Sequence, residues 1–192
     1  MDFLREWLTG ILHSSRTLDA WGARPAPSWG FKAVLVRFVG TSLLVALPLA
    51  LLGRTPFQPS YIEFIPEEEY YKVLVFLFPL FGIITWLLMS SCAHVALRLS
   101  SHRTDFDQIA NVLGICMLIP MPIVWAWDVT MIITGAYSMG TMAPSHTLFQ
   151  VWETALGFVG LKRIVGLDAR TALFTAVGVN LLYVLMGAFF SR

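Results

Sequence analysis

Residues 73–99 read VLVFLFPLFGIITWLLMSSCAHVALRL, an apolar run whose one formal charge, Arg98, lies next to its end. A hydrocarbon core about 30 Å thick is crossed by about 20 helical residues, so Val73–Leu99 is long enough to span a bilayer. Working outward, further apolar stretches at Ala33–Gly53, Ile109–Ile133, Thr147–Leu161 and Thr171–Phe190 fill most of the chain. The pattern predicts an all-α, polytopic membrane bundle of five transmembrane helices.

Composition agrees. Hydrophobic residues make up 57% of the 192 and charged residues 13%, with a mean hydropathy of +0.71. Soluble domains average about a quarter charged. The net charge of +1 says nothing about partners, but its distribution does. Ten of the thirteen basic residues (Arg5, Arg16, Arg24, Lys32, Arg37, Arg98, Arg103, Lys162, Arg163 and Arg170) fall on alternate flanks of the five stretches, on one side. Arg54, Lys72 and Arg192 fall on the other, with Glu63, Glu67, Glu68 and Glu69. The positive-inside bias then predicts a cytoplasmic N-terminus and an external C-terminus. Met1–Gly10 holds Asp2, Arg5 and Glu6 and does not read as a cleaved signal peptide.

Two parts are expected: 1–28, a cytoplasmic helix and Pro-rich link, and 29–192, the bundle. Phe3, Leu4, Trp7, Leu8, Ile11 and Leu12 recur at helical spacing. They predict an amphipathic helix lying in the cytoplasmic interface with Trp7 at headgroup depth, or else packing across the bundle mouth. Arg24-Pro-Ala-Pro-Ser-Trp-Gly30 follows as a stiff, extended link. Beyond the first span, Pro66-Glu-Glu-Glu69 reads as a helix start leading into Tyr70 and Tyr71 at the interface. Thr104–Asp107 and Asp168 read as caps of later helices.

Chemistry has few places to reside. Ile119-Pro-Met-Pro122 interrupts the third stretch, and the short fourth carries Glu153. Interrupted or short spans can line a cavity, so Asp128 and Glu153 are the candidate site residues, forming a polar pocket between spans three and four. The structural reading is a Glu153 neutralised by hydrogen bonding and an Asp128 wetted at the outer boundary; for Glu153 both readings stand. Arg37 is expected to extend its stem to the headgroups. Asn180 is expected to bond across a close helix contact. Cys92 and Cys116 read as small apolar residues. The histidines are scattered, and no His-x-x-x-His pair, Gly-rich phosphate loop or basic–aromatic patch occurs. No catalytic residue, metal, cofactor or nucleic-acid partner is expected.

Several segments resemble the Yip1-domain family of small membrane proteins. They are Glu68-Glu69-Tyr70-Tyr71, Asp105-Phe-Asp-Gln-Ile-Ala-Asn-Val-Leu-Gly114, Trp152 with Gly157-Phe-Val-Gly-Leu-Lys162, and Gly166-Leu-Asp-Ala-Arg-Thr-Ala172. The resemblance covers about residues 29–190. It implies five spans with a cytoplasmic N-terminus, and its short N-terminal extension is similar to that of bacterial members, which would place it in the cytoplasmic (inner) membrane. Eukaryotic members are linked to Rab GTPases and vesicle traffic through a long N-terminal region with an Asp-Leu-Tyr-Gly-Pro motif, which does not occur here. The expected function is a non-enzymatic membrane protein that organises lipids and membrane or cytoplasmic protein partners, itself included as a homo-oligomer. The alternative is a small transporter or lipid translocator using the Asp128–Glu153 cavity.

Overall fold

A computed structural model describes residues 3–22, 28–57 and 65–190, and all the regular structure in them is helical. In chain order the helices are α1 (Phe3–Leu12), α2 (Ser14–Gly22), α3 (Ser28–Thr41), α4 (Leu47–Leu51), α5 (Tyr70–Leu99), α6 (Phe106–Leu118), α7 (Met121–Ile133), α8 (Met139–Arg163) and α9 (Ala169–Phe190). A π-helical turn, Ser42–Ala46, joins α3 to α4 and ends two residues before Pro48, whose missing N–H already weakens the regular ladder. Four helical runs are long and apolar enough to cross a membrane: Ser28–Leu51, Glu67–Leu99, Phe106–Ile133 and Ala169–Ala188. The remaining long helix, α8, is 25 residues and less apolar, because Ser145, His146, Thr147 and Gln150 sit in its first half. The stretch Thr147–Leu161 is therefore only part of a longer helix than its hydropathy suggested.

Contacts sort the loops into two ends. At one end Arg163 pairs with Asp19 at 3.1 Å, the Gln108 amide donates to the Ile164 carbonyl, and His102 faces Asp168 at 3.9 Å. At the other, Phe57 lies against Tyr137, and Tyr70 and Tyr71 are buried beside Val45, Leu49 and Ile132. Burial of the two tyrosines differs from their expected place in an aromatic belt. The caps form where their residue types predict. Asp105 accepts from Asp107 N to open α6, and Asp168 accepts from Arg170 N and Thr171 N to open α9. Of the expected extended link, Ser28–Gly30 is instead the first turn of α3; the prolines of that link lie outside the described residues, as do Pro59 and Glu63.

Helices α3 and α6 approach closely in the bundle's core. A Cβ on Gly114 would come 2.6 Å from the Gly30 carbonyl oxygen, and one on Gly30 would come 2.7 Å from that of Ala110. Backbone meets backbone there, and Gly30 N donates to Asn111 Oδ1 at 2.8 Å. Small residues at such crossings permit the approach that packing in lipid depends on. Gly114→Val should therefore force the helices apart and cost about 1–3 kcal/mol, the usual penalty of overpacking. Thermal denaturation in detergent reads this out: an unchanged midpoint for Gly114→Val would contradict the contact, while Gly187→Val, where an added Cβ meets nothing, should be neutral.

The third span is broken at its centre, where Ile119 and Pro120 separate α6 from α7. Proline is the usual cause of such a break. Pro122 has no N–H, so the carbonyl four residues back, Leu118, loses its ladder donor. Trp7 supplies the replacement, its indole N–H donating to Leu118 O at 2.9 Å. Trp7 is 7% exposed and meets Trp125 edge to face at 5.9 Å. Leu118 lies about 18 Å along its helix from Phe106 at about 1.5 Å per residue, which is not headgroup depth relative to that span. A helix does form over Phe3–Leu12, but its apolar residues divide: Trp7 and Gly10 are buried, whereas Leu4, Leu8 and Leu12 are exposed. Thr17 and Leu18 of α2 are buried as well, so the N-terminal hairpin packs into the bundle by both arms.

Candidate functional site: a buried ion pair

Arg37 lies in the middle of the Ser28–Leu51 run and Glu153 in the second half of α8, each surrounded by apolar neighbours. Their side chains meet. Arg37 Nη1 is 2.7 Å from Glu153 Oε1, with Arg37 6% and Glu153 8% exposed. The same Nη1 donates to the Met117 carbonyl at 2.5 Å, and Nη2 donates to the Tyr183 hydroxyl at 3.1 Å. The guanidinium also lies over the rings of Phe38 and Tyr183, 5.5 and 5.3 Å from their centres. One side chain thus ties together α3, the broken third span, α8 and α9.

This corrects the expectation that Arg37 snorkels to the headgroups. Its stem points its charge into the bundle because a counter-ion and two further acceptors wait there. In a low-polarity interior an isolated charge is costly, and a carboxylate with hydrogen-bonding partners offsets that cost only when the geometry is good. Here the guanidinium's planar fork serves three oxygens at hydrogen-bond distance, a role a lysine's point charge fills less well.

Asp128 does not line the cavity beside Glu153 and meets a different base. Asp128 is 3% exposed and faces His146, whose Nε2 is 3.6 Å from Asp128 Oδ1. It is therefore buried, and the expectation of an acid wetted at the membrane boundary is overturned. His146 and Glu153 stand two turns apart on α8, about 10 Å, so the two acids occupy successive levels and each takes a different base. Beside Glu153 lies a cavity of about 30 Å³ bordered by Cys116, Thr154, Asn180 and Tyr183. That is space for a water or two at most. Asn180 lines this cavity.

Arg37, His146 and Tyr183 were missed as site residues by sequence reading. A signal existed for the first: Arg37 and Glu153 are opposite charges set deep in two apolar stretches, and each is costly without the other. Nothing in the spacing pointed to Tyr183. Among the described residues no three His, Cys, Asp or Glu side chains converge as metal ligands would, and both cysteines are free. No family model matches the chain, and neither a curated protein nor a solved structure matches it.

Proposed function

We propose that the chain is a five-span integral membrane protein, N-terminus cytoplasmic and C-terminus external, which works without chemistry of its own by organising lipids and partner proteins around it. The observation that supports this reading is how the interior charges are used. Arg37 is committed to Glu153, Met117 and Tyr183, and the adjoining cavity is about 30 Å³. A site built for transport keeps polar groups facing a water-filled path; these groups face one another. The fifth crossing is α8, which begins near Tyr137 at one end of the bundle and ends at the Asp19–Arg163 pair at the other. The resemblance to the Yip1-domain family supports the same span count and a scaffold role.

Two measurements test it. Topology reporters should be active in the cytoplasm at Arg24, His102 and Lys162 and external at Pro59, Met142 and Arg192; termini in one compartment would end the five-span reading. Liposomes carrying the purified chain should leak protons and monovalent cations no faster than protein-free liposomes. A flux that Glu153→Gln abolishes would overturn the scaffold reading in favour of a transporter.

A further inference from the structure

Between the Leu99 end of α5 and the Ala169 end of α9 runs a groove of about 440 Å³. Its floor is narrow-chained: Ala93 and Ala96 on α5 face Thr175 and Gly178 on α9, so the two helices leave a trench that larger side chains would close. Apolar residues continue it to Leu182, about 18 Å from Arg170 at about 1.5 Å per residue. Half of a hydrocarbon core is about 15 Å. The trench therefore has the depth of one leaflet.

Its mouth is polar. Arg170 and His102 line it, and among the described residues no carboxylate pairs with Arg170, whose guanidinium lies over the Phe174 ring at 5.8 Å. His102 Nδ1 is buried without a hydrogen-bond partner. The acid at the mouth, Asp168, is already engaged: the Thr171 side chain and the backbone of Thr171 and Arg170 hold its carboxyl below the ordinary value, and it stands 3.9 Å from His102 Nε2. Arg98 and Arg103 flank the same loop. His102 is placed there by a backbone turn: Ser101 adopts φ +66°, and His102 N reaches back to the Leu97 carbonyl at 2.9 Å. A non-glycine residue rarely adopts that region, and this turn accepts it.

We propose that this groove binds one anionic phospholipid, its phosphate at Arg170 and His102 and one acyl chain along Ala93, Ala96 and Gly178. The proposal rests on the five-span scaffold reading and names the lipid class that scaffold holds, in the cytoplasmic leaflet. Charge decides the occupant. A zwitterionic lipid also brings a phosphate, but with it an ammonium that Arg98, Arg103 and Arg170 repel, and a second copy of the chain docked symmetrically would bring a second Arg170 to the same place. A basic pocket between membrane helices at the cytoplasmic face is the arrangement that selects anionic headgroups.

Native mass spectrometry of the full chain in mild detergent tests this. The probes are phosphatidylglycerol, phosphatidylcholine with the same acyl chains, and inorganic phosphate. The wild-type chain should retain one phosphatidylglycerol, preferred over phosphatidylcholine by about fivefold through the Arg170 contact. Arg170→Gln with His102→Gln, both at the rim, should bring the two lipids to parity. Thr175→Phe should fill the trench and remove retention of both. Equal retention of the two lipids by the wild-type chain, or a preference untouched by the rim variants, would overturn the proposal. So would displacement of lipid by millimolar phosphate, which marks a free-anion site, or a lipid-free dimer dissolved by Thr175→Phe, which marks a second copy. Topology reporters do not respond to any of these outcomes, so a failed lipid site and a failed span count are told apart.

Discussion

Glu153→Leu should destabilise this protein more than almost any other single substitution, by about 3–5 kcal/mol, because it leaves the Arg37 charge buried without a counter-ion. In a chain of this size that corresponds to a fall of roughly 6–20 °C in the detergent melting temperature. Arg37→Met alone should be comparably harmful, stranding the carboxylate and removing the donors to Met117 O and Tyr183 Oη. The double variant Arg37→Met/Glu153→Leu should recover most of the loss, since a well-packed apolar pair often matches or exceeds a buried ion pair in stability. Glu153→Gln should fall between, keeping an oxygen for Arg37 Nη1 and losing the charge. The cycle measures the coupling directly: if the two single losses simply add in the double variant, the pair contributes no interaction energy and the site as described is wrong.

Four helical runs long and apolar enough to cross a membrane were readable because an unbroken apolar stretch such as Val73–Leu99 marks such a helix directly, and Lys162-Arg163 marks the end of α8. The caps at Asp105 and Asp168 were readable for the same kind of local reason, a carboxylate placed where free N–H groups occur. Partnerships between distant segments were not. Arg37 and Glu153 are 116 residues apart, and their meeting depends on how α3, α6 and α8 pack, which the Gly30–Gly114 contact helps to set. Hydropathy also cut α8 short, because its polar first half, where the Trp127 indole donates to Ser145 and His146 stands against Asp128, lies outside the apolar stretch Thr147–Leu161.

The N-terminal hairpin is where periodicity and packing part most clearly, and one residue distinguishes them. A tryptophan anchoring a helix at the membrane surface tolerates phenylalanine, which keeps the ring and its apolar contact. Trp7 has a second task, because its N–H serves the Leu118 carbonyl that Pro122 leaves without a ladder donor. Trp7→Phe should therefore cost about 1–3 kcal/mol, the penalty of an unsatisfied buried polar group. Trp7→Ala should cost about 3–5 kcal/mol, because the contact with Trp125 and the filled volume go as well. Pro122→Ala supplies the missing N–H at the right place in the helix and gives Leu118 O a donor from its own ladder. In that background Trp7→Phe should become nearly neutral, while Trp7→Ala should remain harmful. Melting temperatures of the six proteins in one detergent decide it. If Trp7→Phe is equally mild with proline or alanine at 122, the indole does not repair the broken span, and the hairpin is held only by its apolar contacts.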